Sequence, residues 1–319
     1  MSSMSNTKFD VITVTINPAI DKTITISQFT PAMVNRVDRE QSTPGGKGVN
    51  VASALADYGF KVAVTGFLGN ENTEMFEYLF EDKNISDYFV RISGQTRVGI
   101  KISDSARGET TDINFPGIAP RSTELADFYQ QLDQLDTNAA SLIVLAGSVP
   151  PGIDPAIYRE LIERFHARGQ KVVLDSSGEP LRLALEAIPD IVKPNIHELE
   201  ELLGQQLTTR ESTIKAARYY TSKGVSLVVV SMGEEGALFV TADKVVTVRP
   251  PKIAVRSTVG AGDAMVAGII AGHLRGLPLV DCARLATAFS LDFLTGGNGS
   301  MRSFSEIETS MQGIPAEVG

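Results

Sequence analysis

Short runs rich in valine and isoleucine recur along the chain at 11–16, 62–65, 142–146, 172–174, 191–192 and 227–230, with segments of helical periodicity between them. Most of these runs are too brief for helices, and their continuous apolar character is that of strands buried on both faces. Leu125, Phe128, Tyr129, Leu132 and Leu135 fall at helical spacing and form one apolar face. Ile157, Leu161 and Phe165 do the same after Asp154-Pro155, which reads as an N-cap followed by a proline whose missing N–H costs nothing there. Gly169 would stop that helix, as Gly59 would stop one marked by Val49, Ala52 and Ala56. The β-α-β-α order predicts a doubly wound α/β fold, a mostly parallel sheet with helices on both faces.

Two stretches break the alternation. Residues 21–42 read as extended segments around Pro31, and residues 98–102 and 110–114 read as a hairpin over a turn containing Gly108. We expect these stretches, about 20–42 and 96–116, to form a small antiparallel sheet beside one continuous domain spanning 1–319.

Composition narrows the function. A net charge of -9 argues against sequence-independent binding of nucleic acid. No run approaches the roughly 18 apolar residues needed to cross a bilayer, so no membrane association is expected. The polar first ten residues and the single cysteine, Cys282, fit a cytoplasmic, reducing setting. Three histidines and one cysteine cannot build a typical zinc site, so any metal should be bound by oxygen.

In an open parallel sheet, ligands bind beyond the carboxyl ends of the strands. Small and polar residues follow the expected strands here: Asn17-Pro18 with Asp21, Gly147-Ser148, Asp175-Ser176, Lys193-Pro194-Asn195 with Glu198, and Ser231-Met232-Gly233. The sharpest segment is 257–265, where Gly260-Ala261-Gly262-Asp263 precedes an apolar helical run. Glycines before a helix let N–H groups approach an anion, and the helix terminus adds partial positive charge. That arrangement suits a phosphoryl group in transfer, with Asp263 within reach of an incoming hydroxyl. The plainer reading is an N-cap aspartate after a glycine turn. A second cluster, Gly45-Gly46-Lys47-Gly48-Val49-Asn50, opens another helix, and Asn50 can both donate to and accept from hydroxyls. Arg36 and Arg97 in the accessory stretches could each grip a phosphate. Neither glycine cluster is a dinucleotide fingerprint or a P-loop: Met265 stands where the third glycine would be, and Gly48 follows Gly46-Lys47 where Ser or Thr is needed.

Together these segments resemble the ribokinase-like sugar kinases of the phosphofructokinase-B branch. The likeness runs from residue 13 to the region of Asn298. The resemblance implies an ATP-dependent kinase acting on a sugar phosphate, built as a doubly wound α/β domain with a β-sheet lid through which two copies pair as a homodimer. It implies Asp263 as the base and Gly260, Ala261 and Gly262 as the anion hole. Asp21, Gly45, Gly46, Lys47 and Asn50 would hold the sugar, and Arg36 and Arg97 its phosphate. Lys193, Asn195, Ser231, Gly233, Gly236, Thr258 and Asn298 would hold the nucleotide. Glu198 would act on magnesium, mostly indirectly, and ATP and Mg2+ are the implied cofactors, with K+ a further candidate. Within the branch, residues 94–97 and 111–117 look most like members that phosphorylate fructose 1-phosphate, ahead of those using tagatose 6-phosphate or fructose 6-phosphate. Val34 stands where a relative using fructose 6-phosphate has a lysine. A catalytically weak sugar-phosphate sensor on the same fold is the alternative of a different class.

Overall fold

The computed structural model describes residues 8–136, 140–251, 253, 260–296 and 302–319. The chain enters along β1 (Val11–Thr15), buried over its whole length. It then leaves the main body as a hairpin, β2 (Ala19–Ile26) and β3 (Arg39–Gly45), and returns through α1 (Lys47–Asp57) to β4 (Val62–Gly69). After α2 (Glu74–Asp82) and β5 (Ser86–Ile92) it leaves again as a second hairpin, β6 (Val98–Asp104) and β7 (Glu109–Asn114). From α3 (Ser122–Asp136) the alternation is regular: β8 (Leu142–Ala146), α4 (Ile157–His166), β9 (Lys171–Asp175), α5 (Gly178–Ala184), β10 (Ile191–Val192), α6 (Ile196–Leu203), α7 (Arg210–Ser222) and β11 (Leu227–Ser231). Two further strands, β12 (Ala237–Val240) and β13 (Val245–Val248), precede α8 (Ala261–Leu274), α9 (Leu279–Thr295), α10 (Phe304–Gln312) and β14 (Ala316–Val318).

Ten strands form one sheet in the order β14-β13-β12-β11-β10-β9-β8-β1-β4-β5. Pairing is parallel from β11 to β5 and antiparallel from β11 through β14. Successive side chains alternate across this sheet. Val11 and Val64 face one core, shared with Val266 and Ile270 of α8 and Phe289 of α9. Ile12 and Val14 face the other, shared with Phe128 of α3, Tyr158 and Leu161 of α4, and Ala217 of α7. The doubly wound expectation therefore holds. Strand β5 and strands β12 to β14 are not among the expected runs: β5 carries Asp87 and Arg91, and the others are only three or four residues long.

The helix expected from Asp154 begins later, at Ile157. The Asp154 carboxylate accepts from the Ala156 N–H at 2.8 Å and closes a turn ahead of the helix instead of capping it.

The two hairpins form a separate four-stranded sheet, β3-β2-β6-β7. Within each hairpin the strands are antiparallel, but β2 and β6 meet in parallel. Both strands start at the same edge of the main sheet and run outward, so the seam between them has to be parallel.

Along the main sheet the chain winds outward from β1 to β4 and β5, then returns to β8 on the other side of β1. The crevice between the carboxyl ends of β1 and β8 is thus the topological switch point, where ligands bind in sheets of this kind.

Candidate active site

Asp263 lies in the first turn of α8, only 8% exposed. It is not the N-cap. Gly260 takes that position with φ 87°, a left-handed conformation that glycine adopts freely, and a Cβ there would meet the Phe293 ring. The N–H groups of Ala261, Gly262 and Asp263 are the ones a helix leaves without intrahelical acceptors. They point, with the positive end of the helix, toward the crevice.

The Asp263 carboxylate accepts a 2.7 Å hydrogen bond from Asn50 Nδ2 at the start of α1. Burial, reinforced by the nearby Asp175 carboxylate, pushes its pKa up to about 6. A carboxylate so placed gains affinity for a proton while remaining largely ionised at neutral pH, a suitable state for a base.

Asp175, 1% exposed, ends β9. Its Oδ1 faces Lys47 Nζ at 3.0 Å and Lys193 Nζ at 3.5 Å. Burial opposes its ionisation, but the two ammonium groups prevail and hold its pKa below the ordinary aspartate value. Its Oδ2 is buried without a hydrogen-bond partner among the described residues. Lys47, which opens α1, also lies 3.9 Å from Glu198 Oε1. Burial works against the Lys47 charge, yet Asp175, Glu198 and Asp263 outweigh it and raise its pKa above the ordinary lysine value. Lys193, from the end of β10, lies against the α8 terminus: a side chain added at Gly262 would come to 3.6 Å from its Nζ. Two cations and a helix terminus thus converge beside Asp263.

Asn195 and Glu198 form a capping box on α6. The Asn195 side chain accepts from the Glu198 N–H, and the Glu198 side chain accepts from the Asn195 N–H, each at 2.8 Å. The next strand end contributes Ser231, bridged in parallel to Asn195. A tight turn follows through Gly233 and Gly236, closed by the Met232 N–H donating to the Gly236 carbonyl. Thr258 and Asn298 lie outside the described residues.

Across the crevice, Gly46 caps α1, and Gly45 pairs with Ala19 close to the Asp21 carboxylate. Burial raises the Asp21 pKa against the pull of Lys101, whose Nζ is 3.5 Å away. Arg97 donates to the carbonyls of Phe115 and Asn17 at 3.1 and 3.3 Å. Arg36 is exposed in the connection between β2 and β3, and no hydrogen bond or ion pair joins it to this cluster. In the sequence, Asp175 is only one polar strand end among several. Its place between two lysines comes from segments far apart in the chain, and the visible clue is an acid directly after the apolar run 172–174.

No trio of His, Cys, Asp or Glu among the described residues could hold a metal alone. Glu198 instead suits a hard cation that keeps most of its water and binds through a ligand's phosphates.

Residues 14–291 match the model of the pfkB family of carbohydrate kinases. A 1-phosphofructokinase of Rhodobacter capsulatus is 47% identical over 89% of this chain and 90% of its own length. One from Xanthomonas campestris pv. campestris is 44% identical over 90% and 92%. The crystal structure of Escherichia coli phosphofructokinase-2 in complex with potassium superposes with a TM-score of 0.86 at 29% identity, covering 95% of this chain and 98% of that one. Over most of its length, then, the chain belongs to the PfkB family of carbohydrate kinases.

Proposed function

We propose that this kinase transfers the γ-phosphoryl group of ATP to fructose 1-phosphate, giving fructose 1,6-bisphosphate. The observation that carries the chemistry is Asp263: a buried carboxylate with a raised pKa, hydrogen-bonded to Asn50 and set in the first turn of α8. The choice of sugar rests on the likeness to the two 1-phosphofructokinases. A sensor would have no use for a base held beside an anion-binding helix terminus.

Phosphoryl transfer through a loose transition state needs alignment and charge neutralisation more than covalent chemistry. Gly260, Ala261 and Gly262 form the anion hole, in which the free N–H groups of Ala261 and Gly262 donate to the transferring oxygens, while Lys193 and Lys47 balance their charge. Asp263 takes the hydroxyl proton onto a carboxylate oxygen. Asp21, Gly45, Gly46 and Asn50 line the sugar's side, and Arg97, with Arg36 from the exposed connection, grips the phosphate already present. Asn195, Ser231, Gly233, Gly236, Thr258 and Asn298 take the nucleotide. Glu198 would hold magnesium, mostly indirectly, and the ion would supply positive charge against the ATP phosphates; a potassium ion is a further candidate. The small sheet serves as a lid that excludes water and as the homodimer interface, in a cytoplasmic enzyme.

The test is a comparison of kcat/KM for fructose 1-phosphate, tagatose 6-phosphate and fructose 6-phosphate under identical Mg-ATP. Fructose 1-phosphate should give the highest value. A higher value for either 6-phosphate overturns the substrate while leaving the kinase chemistry untouched.

A further inference from the structure

Arg97 could hold a phosphate only if its guanidinium is aimed at one, and one of the two hydrogen bonds that orient it goes to a residue given no role so far. Asn17 follows β1 at the switch point and is 7% exposed. Its side-chain Nδ2 donates to the Pro116 carbonyl at 3.0 Å and to Ser148 Oγ at 3.1 Å. A carbonyl only accepts, so the Pro116 contact fixes which way the amide faces. Its backbone carbonyl accepts from Arg97 Nη2 at 3.3 Å, while Arg97 Nη1 donates to the Phe115 carbonyl, one residue before Pro116. Asn17 therefore ties together the ends of β1 and β8, the segment returning from β7, and the arginine. Gly117 belongs to the same assembly. Its φ is 90°, and a Cβ there would run into the Asn17 amide.

The consequence is chemical as well as structural. With the Asn17 amide donating to the Ser148 oxygen, the hydroxyl hydrogen is free to turn elsewhere. Two of the Arg97 donors are committed to carbonyls, while its Nε is buried with no partner among the described residues. The N–H groups that remain on Nη1 and Nη2 are the ones left for an anion, and a hydrogen bond to a charged group is among the stronger kinds.

We propose that Asn17 is a positioning residue for sugar-phosphate recognition: by tying Pro116 and Ser148 to the end of β1, it presents Arg97 and the Ser148 hydroxyl as donors to one phosphate group. This rests on the role given to Arg97 above, and a double-mutant cycle keeps the two ideas apart. The variants Asn17→Ala, Arg97→Ala and the pair would be assayed with fructose 1-phosphate and ATP, with melting temperatures recorded. Arg97→Ala should raise the sugar-phosphate KM by about 10- to 100-fold, as expected for a lost hydrogen bond to a charged group. Asn17→Ala should raise the same KM by about 10-fold, as for one mis-set charged contact, with kcat and the ATP KM within about twofold. If Asn17 acts through Arg97, the double variant will be little worse than Arg97→Ala alone. Asn17→Asp keeps the shape but sets an oxygen against the Pro116 carbonyl, so it should be no better than Asn17→Ala. A silent Arg97→Ala would overturn the phosphate role of the arginine. An effective Arg97→Ala with a silent Asn17→Ala, or with fully additive losses, would overturn the positioning role. A lower melting temperature with an unchanged KM would make Asn17 merely structural and overturn it equally.

Discussion

At the residue scale, the environment of Asp263 sets both its chemistry and its pH dependence. Asn in its place preserves the size and can still accept from Asn50, but cannot take a proton. General bases contribute about 10²–10⁴-fold, so Asp263→Asn should lower kcat at least 100-fold; a folded variant retaining more than about a tenth of wild-type turnover would remove the base assignment by the same measure. The base must be ionised to work. Wild-type kcat/KM should therefore fall as pH drops through about 6, and the variant's residual activity should lack that inflection. Stability carries the opposite sign. The carboxyl binds its proton more tightly folded than unfolded, so ionisation costs stability, and the cost accumulates as pH rises from the ordinary aspartate value of 3.8 to about 6. Asparagine removes that cost, so the variant's melting temperature at pH 8 should be no lower than that of the wild type.

At the element scale, the termini of helices do most of the site's work. Four of the key side chains, Lys47, Asn50, Glu198 and Asp263, lie in the first turns of α1, α6 and α8. Glu198 has two separable duties, since one carboxylate oxygen completes the α6 capping box while the other faces Lys47. A glutamine can still accept from the Asn195 N–H but carries no charge. Glu198→Gln should leave the melting temperature near wild type and raise the Mg2+ concentration for half-maximal rate by about 10-fold, the size of an indirect metal contact. Glu198→Ala should add a stability loss of about 1 kcal/mol for the lost cap. Unchanged magnesium dependence in Glu198→Gln would leave the residue a cap and nothing more. The glycine turn before α8 was legible in the sequence because backbone N–H presentation is a local property. The expectation that Asp263 could serve as the N-cap was not met, because Gly260 with its positive φ starts the helix three residues earlier.

At the scale of the whole molecule, the small sheet exposes Met33, Val34, Val37, Ile113 and Phe115 on and beside its strands. Surface of this kind seeks a partner, in keeping with the proposed homodimer. Light scattering should report a dimer for the wild type and a monomer for Val34→Asp/Ile113→Asp; a dimer of unchanged mass in the variant would move the interface elsewhere, and a monomeric wild type would remove the proposed dimer. The main sheet was readable from sequence because strands buried on both faces are continuous apolar runs and the helices between them keep a helical period. Helical period, strand length and the glycine turn before α8 are local properties, and they determined the β-α alternation, the two excursions of the chain and the chemical character of the α8 terminus. The tertiary structure alone decided which distant groups meet. Lys47 reaches Asp175 across 128 positions, and Asn50 reaches Asp263 across 213. It also decided that β2 and β6 pair in parallel and that Asn17 joins three loops. The physical reason is that such contacts follow from the order of strands in the sheet and from which loops end at the same edge, and no periodicity within a single segment encodes either.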